Sequence, residues 1–390
     1  MTSAAQKIDP LVPAIEPGRP LPSPAGKPPR MLSLDVFRGL TIAAMILVNN
    51  PGSVDDVYAG LSHAEWHGWT ATDLVFPFFL FIVGIAVTLS EVANRAERTH
   101  VLVARIFRRA ALLFALGMLL NGFAGFESLA TLRIPGVLQR IALCYLAASL
   151  IFLATGPAGQ AIAAAMLLGG YWALLALATV PGHGAGALDP EGNVAAYLDR
   201  RLLGERHLLH GAWDPEGLLS TLPAIGTTLL GVLAGHWLKA RRTVARTSLG
   251  LVLAGALMAA LGALLDQWLP INKNLWTTSY AFFTAGLAAV LLGLCTWLVE
   301  AKGVRRPMLP FIVFGVNPIA VYVLSMMVGS LMDQIAVESS GENLRVWLCE
   351  QLFTWWTSPL NASLLFAVCY VMFWLGAMSL LYRREIRIKI

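Results

Sequence analysis

Runs of roughly 20 apolar residues recur along this chain, and they constrain its fold more than any single motif does. They fall at about 34–50, 71–91, 105–123, 136–155, 160–180, 217–238, 247–269, 276–299, 310–332 and 361–382. Inside a bilayer every backbone amide must be satisfied within a helix or a closed barrel, and runs of this length select helices. The expected fold is all-α, a polytopic transmembrane bundle of about 10–11 helices. The eleventh is the aromatic stretch NLRVWLCEQLFTWWT at 343–357, suited to the interface or to a re-entrant element. Composition agrees: 57% of residues are hydrophobic, 13% are charged and the mean hydropathy is +0.67. A soluble domain carries about 25% charge.

Orientation follows from Lys and Arg, which are retained on the cytoplasmic side. The N-terminal stretch, NRAERTHVLVARIFRR, KARRTVAR, AKGVRR and RREIRIK together hold 20 of the 28 basic residues, all on one side of the expected spans. Both termini are therefore expected in the cytoplasm. Residues 1–30, rich in proline and small residues, read as a disordered cytoplasmic tail, 31–385 as the membrane domain and 386–390 as a second cytoplasmic tail. The longest external loop is 181–216. The net charge of +5 is thus a matter of topology, and no nucleic-acid partner is expected. Cys144, Cys295, Cys349 and Cys369 are widely separated and read as core thiols rather than as a metal or disulfide framework.

Polar residues collect at the expected outer face. In GLSHAEWHGWTATDLVFPFFLFIVG, His63 lies ten residues before Asp73, at the start of span two. A carboxylate beside an imidazole orients it and stabilises its charged form, so His63 could serve as general base or nucleophile; a solvated loop histidine and a helix-capping Asp73 explain the same residues without chemistry. His63 and His67 at i, i+4 could share a metal on a helix, but Gly60 and Gly68 flank them and no third ligand has the spacing, so no metal is expected. Trp66 and Trp69 suit anchors at the membrane interface. Span one carries Asp35 and Arg38 at its cytoplasmic end and Asn49 at its outer end. Arg38 could meet an anionic ligand or simply pair with Asp35.

Further candidates lie in other spans and loops. Arg133 and Arg140 in RIPGVLQRIALCY stand at the mouth of span four. Arg140 is set into an apolar run, where a charge faces the bundle interior and could pair with Glu127 or bind a polar substrate. In WDPEGLLSTLPAIG, Asp214 reads as the N-cap of span six, and Asp214 with Glu216 could equally hold an amine or sugar hydroxyls. Asn272, Lys273 and Asn274 occupy a tight outer turn suited to sugar recognition, and Asn317 inside an apolar run should face a partner or cavity. No phosphate-binding loop, dinucleotide fingerprint, HExxH or nucleophile elbow is present.

Six ordered segments, LSLDVFRGLTIAAMILVNNPG, HAEWHGWTATDLVFPFFLFIVG, RIPGVLQRIA, WDPEGLLSTLPAIG, INKNLWTTSYAFFTAGLA and FGVNPIAVYV, resemble the heparan-α-glucosaminide N-acetyltransferase family of transmembrane acyltransferases. The resemblance covers about residues 31–385 in order. It implies transfer of an acetyl group from cytoplasmic acetyl-CoA to the amino group of a glucosamine-type sugar across the membrane. It implies His63 as the catalytic histidine and Asn49 as the active-site asparagine, to which the reading of the residues adds Asp73 as the group that orients His63. His67, Trp66, Arg133, Arg140, Asp214, Glu216, Asn272, Lys273, Asn274 and Asn317 become candidates for the acceptor, and Arg38, Arg105, Arg108 and Arg109 for the phosphates of acetyl-CoA.

One position departs from the family pattern, because His67 stands where the motif H-A-x-W-N-G has Asn. The chain also begins without the long luminal domain of the animal members, so the expectation is a bacterial inner membrane rather than a lysosome. The expected partners are acetyl-CoA, an amino-sugar acceptor such as glucosamine or its oligomers, and the bilayer, with a homodimer open to it. A permease for amino sugars, or an O-acetyltransferase of an envelope polysaccharide, would use the same polar residues.

Overall fold

The computed structural model describes residues 31–90, 98–123, 128–240, 242–338 and 341–388. The expected tail at 1–30 and the candidate partner Glu127 lie outside them. Among the described residues the chain is all-α apart from a hairpin of two-residue strands, Thr179–Val180 (β1) with Gly184–Ala185 (β2), and one bridge between Ala336 and Asn343. In order come α1 (Leu32–Asn49), α2 (Val75–Leu89, entered through a turn at Thr72–Leu74), α3 (Thr99–Phe123), α4 (Val137–Ala154) and α5 (Pro157–Leu177). The short α6 (Val194–Leu203) follows in the long loop. Then come α7 (Thr221–Lys239), α8 (Val244–Leu265), α9 (Thr278–Thr296), α10 (Leu309–Val316), α11 (Pro318–Gln334), α12 (Leu344–Cys349) and α13 (Pro359–Arg383).

Among the described residues, eight helices are long and apolar enough to cross a membrane: α1, α2 with its entry turn, α4, α5, α7, α8, α9 with its terminal turn, and α13. This is a multi-pass membrane protein. The segment expected as one span at 310–332 is instead two helices, α10 and α11, bent by 76° at Asn317. Pro318 has no amide hydrogen to continue the helix and disfavours helical geometry in the residue before it, so the break falls at the Asn-Pro pair. The tenth expected span is α3, whose first half carries Arg105, Arg108 and Arg109. The stretch 343–357 forms α12 and a wide helical turn, with Trp355 and Trp356 exposed.

Burial separates the centre from the rim. α1, α2, α4, α7 and α9 supply most of the core, whereas α5, α8 and α13 present rows of Leu, Ile, Met and Phe outward, among them Ile162, Met166, Leu253 and Leu257. Such faces would be costly in water but are solvated by lipid tails.

Helices in lipid gain little from the hydrophobic effect on pairing, so close backbone contact through small residues matters more. The α2–α7 pair shows it from both sides. A Cβ on Gly84 would fall 1.9 Å from the Thr228 carbonyl oxygen, and one on Gly231 would fall 2.1 Å from that of Phe81. Gly84→Leu is therefore expected to force the two helices apart. Overpacking costs typically about 1–3 kcal/mol where a core can yield, and backbone yields less than side chains do. In detergent the variant should melt well below the parent or fail to give a monodisperse peak. An unchanged melting temperature would show that the contact does not hold the bundle together.

Candidate active site

The loop 50–71 folds around one buried carboxylate. Asp73 Oδ2 accepts from the amides of Ala64 (3.1 Å) and Thr70 (3.0 Å), with Thr70 Oγ1 3.2 Å away. Thr70 Oγ1 and Thr72 Oγ1 donate to the carbonyls of Ser62 and Leu61, 2.6 Å each, which closes the loop onto the start of α2. Asp73 Oδ1 remains for His63, whose Nδ1 lies 2.6 Å away. With Nδ1–H donating to the carboxylate, Nε2 carries the free lone pair. The Asp73 side chain is 1% exposed and that of His63 is 52% exposed, so a fixed anion aims a reachable imidazole.

Lys273 completes the group. It stands on the turn between α8 and α9, held by Asn272, whose Oδ1 accepts from the Leu275 amide at 2.8 Å. Its Nζ lies 3.0 Å from His63 Nδ1, 3.3 Å from Nε2 and 3.5 Å from Asp73 Oδ1. Burial pulls the Lys273 pKa below the ordinary lysine range, against the opposing pull of Glu216 and Asp73.

A second ionic cluster ties the loops around this group together. Arg133 Nε and Nη2 donate to Asp214 at 2.9 and 2.8 Å, and Nη2 also donates to Glu216 Oε2 at 2.6 Å. Burial works against the Arg133 charge, but these carboxylates prevail and its pKa rises. Arg140, 1% exposed, donates to the Gly217 carbonyl at 2.9 Å and to Ser220 Oγ, with its guanidinium over the Trp276 ring.

Two cavities meet in the bundle. The first, about 720 Å³, is lined by Asn49, His63, Thr72, Glu216, Lys273 and Tyr322 among apolar side chains. The second, about 1040 Å³, opens at the other end of the bundle and is lined by Arg38, Arg109, Tyr145 and Ile388. Phe79, Leu138, Ile141 and Ile319 line both, so four apolar side chains separate the polar floor of one from the arginines of the other.

The sequence candidates divide accordingly. His63, Asn49, Glu216 and Lys273 line the first cavity, with Asp73 behind His63, and Arg38 and Arg109 line the second. Asp214 is not the N-cap of α7, which begins at Thr221. Its carboxylate holds Arg133 and accepts from the amides of Leu209 and Glu216. Asn317 lies at the Arg38 end, where Nδ2 donates to the Ile386 carbonyl at 3.0 Å and Oδ1 accepts from the Ile388 amide at 2.9 Å. Both halves of that amide are committed to a segment read from sequence as a tail, and Ile388 walls the second cavity.

Trp66 donates to the Leu188 carbonyl and packs edge-on against Trp213, tying the long loop to the 50–71 loop. His67 and Asn272 meet at 3.3 Å, and burial lowers the His67 pKa against a partial pull from Asp266. A neutral His67 thus joins two loops, a bond that an Asn could also make. The two imidazoles serve different partners, His63 meeting Asp73 and His67 meeting Asn272. Asn274 is half-buried on the same turn but does not line the cavity, and Arg105 and Arg108 lie on α3 without lining the second cavity. Among the cysteines, Cys144, Cys295 and Cys349 are buried and Cys369 is exposed.

One residue that no sequence signal marked supports the site from behind. Asp199 on α6, 1% exposed, accepts from the Leu218 amide at 2.8 Å and so anchors the segment that carries Glu216 and Gly217. Burial raises its pKa to about 6, against the Leu218 amide bond. An unfolded Asp releases its proton near 3.8, so between about 4 and 6 the folded state holds more protons and stability falls as pH rises. At about 1.4 kcal/mol per unit the loss is on the order of 3 kcal/mol, complete above pH 6. Melting temperatures should therefore drop from pH 4.5 to 6.5, and Asp199→Asn should flatten that slope. Parallel profiles for the two proteins would remove Asp199 as the origin.

A buried carboxylate against an exposed imidazole, over a cavity that shares four apolar lining residues with an arginine-bearing cavity in a helical bundle, is the kind of site a membrane-embedded enzyme would use. The family profile described as "Heparan-alpha-glucosaminide N-acetyltransferase, catalytic" matches residues 30–271. The chain is 32% identical over 352 residues to the Homo sapiens protein named heparan-alpha-glucosaminide N-acetyltransferase, covering 76% of this chain and 52% of that one. It is 30% identical over 350 residues to the Mus musculus protein of the same name, covering 75% and 53%. The chain spans about half the length of the curated relatives it matches. It belongs to the heparan-alpha-glucosaminide N-acetyltransferase catalytic family.

Proposed function

We propose that this protein moves an acetyl group from acetyl-CoA to the amino group of a glucosamine-type sugar, with donor and acceptor reaching the site from opposite faces of a bacterial inner membrane. The observation that carries this reading is the pair of abutting cavities. Acetyl-CoA is too polar to cross a bilayer, but its pantetheine arm is thin and flexible. Its phosphates would stay with Arg38 and Arg109, and its thioester would pass Phe79, Leu138, Ile141 and Ile319 to reach His63.

By one route the sugar amine, having lost its ammonium proton to solvent, attacks the thioester carbonyl while His63 Nε2 takes the second proton and passes it to the departing CoA thiolate. By the other, His63 Nε2 attacks that carbonyl, expels the thiolate and then hands the acetyl group to the neutral sugar amine, whose released proton balances the thiolate. Asp73 holds the imidazole in the required tautomer and stabilises the imidazolium. The Asn49 amide, which lines the same cavity, would donate to the developing oxyanion. Glu216 and Lys273 border the space left for the acceptor. The positive charge of the Arg38 end agrees with a cytoplasmic placement.

The test is transfer across a sealed membrane. Proteoliposomes of one orientation, supplied with acetyl-CoA on the Arg38 side and glucosamine on the His63 side, should yield N-acetylglucosamine on the His63 side and free CoA on the other. Glucosamine flux without any donor would replace this reading with a permease. A base-labile product would replace it with ester formation on oxygen.

A further inference from the structure

The transfer reading has a consequence inside the protein itself. Of the residues lining the first cavity, Lys273 alone carries a primary amine, the functional group that the acceptor would present. That amine touches both ring nitrogens of His63, at 3.0 and 3.3 Å, including the one positioned to take a proton from an attacking amine. The turn that carries it is fixed by the Asn272 side chain and by the Trp276 amide, which donates to the Lys273 carbonyl at 3.0 Å. Burial also favours its neutral, nucleophilic form over that of a solvent-exposed lysine. An acetyl-CoA thioester delivered to His63 in the absence of sugar therefore arrives beside an amine of the right chemistry, next to a proton acceptor.

We propose that Lys273 is an internal acetyl acceptor, modified by the protein's own chemistry when the donor occupies the site without an amino sugar. The inference rests on the transfer reading. The neutral Nζ attacks the thioester carbonyl, the C–N amide bond forms and the C–S bond breaks. The proton released by Nζ passes through His63 Nε2 to the thiolate, leaving one acetyl-lysine and one CoA thiol per chain, with no further reactant. The amide does not return its acetyl group under these conditions. Acetylation also removes the positive charge beside Asp73 and fills the cavity mouth, so transfer capacity is lost as the modification accumulates. A sugar amine in the site competes for the same acetyl group and protects the lysine.

Intact protein in lipid nanodiscs, incubated with acetyl-CoA with and without saturating glucosamine, tests this by peptide mass spectrometry alongside assay of N-acetylglucosamine. Without glucosamine, Lys273 should gain one acetyl group, roughly 100-fold faster than the exposed Lys302 at the other end of the bundle, the lower end of what a positioned general base supplies. Saturating glucosamine and His63→Ala should each suppress that excess, and remaining transferase activity should fall in step with Lys273 occupancy. Two results overturn the proposal while leaving the transfer reading intact. One is an unmodified Lys273 in a preparation that acetylates glucosamine; the other is modification at the rate of Lys302, or unchanged in His63→Ala. Failure to acetylate either glucosamine or Lys273 would overturn both.

Discussion

His63→Ala is expected to lower acetyl transfer to glucosamine by at least about 100-fold, since a positioned general base contributes on the order of 10²–10⁴ in rate and a nucleophile no less. The substitution is also a clean one. The His63 side chain is 52% exposed, so its removal opens no core void and leaves buried only the Asp73 carboxylate that faced it. That carboxylate keeps its bonds from the Ala64 and Thr70 amides, and Lys273 remains 3.5 Å away to offset its charge. The variant should therefore elute and melt like the parent while releasing no CoA above background. Asp73→Asn should behave differently: the new amide nitrogen would face backbone donors at one of its two positions, so both rate and melting temperature should fall. Parental turnover in a well-folded His63→Ala protein would place the chemistry elsewhere in the cavity.

Ile319→Trp carries the second large expected effect. Ile319 lies in the first turn of α11 and is one of the four side chains common to both cavities. It is only partly buried, so a larger side chain can be accommodated there more readily than at Ile141, which is 5% exposed. An indole at this point should obstruct the passage between the arginines and His63, holding the thioester short of the imidazole. Misplacement of reacting groups by about 1 Å costs on the order of 100-fold, and a blocked passage at least that much. Transfer should fall by about that factor while acetyl-CoA still binds at Arg38 and Arg109, as read by displacement of a labelled CoA. Ile319→Met, similar in volume and more flexible, should keep parental rates. Undiminished transfer by the Trp variant would mean that the donor reaches His63 by another path.

Much of the bundle was legible in the sequence because its signals are local. A run long enough to cross a bilayer is helical wherever it lies, and the Asn-Pro pair carried the stereochemical information for the break at Asn317 even though its run reads as one span. The family motifs singled out His63 and Asn49, and proximity in sequence was enough to suggest Asp73. Misreadings arose where a residue's partner is distant along the chain. Asp214 has the local features of a helix cap, but Arg133, 81 positions away, takes its carboxylate. Asn317 had to have a partner because a buried amide is expensive, yet nothing in its neighbourhood indicated Ile386 and Ile388, about 70 residues on. Asp199 lies on a short polar helix of a long loop and shows its role only once Leu218 is beside it.

The sequence by itself determined the solvent of this protein, the approximate limits of most of its long helices and the side chains that could carry chemistry, because hydropathy, proline and residue type act over one helix or one loop. Only the tertiary structure decided which of those side chains share a cavity. It set Lys273, 210 positions from His63, against the imidazole, moved Asn317 to the opposite end, and brought the two cavities to within four side chains of each other. Those relations depend on how closely helices pack at small residues such as Gly84 and Gly231, on which way each loop folds, and on which buried polar group finds which partner. They are properties of pairs of segments, and no single segment encodes them.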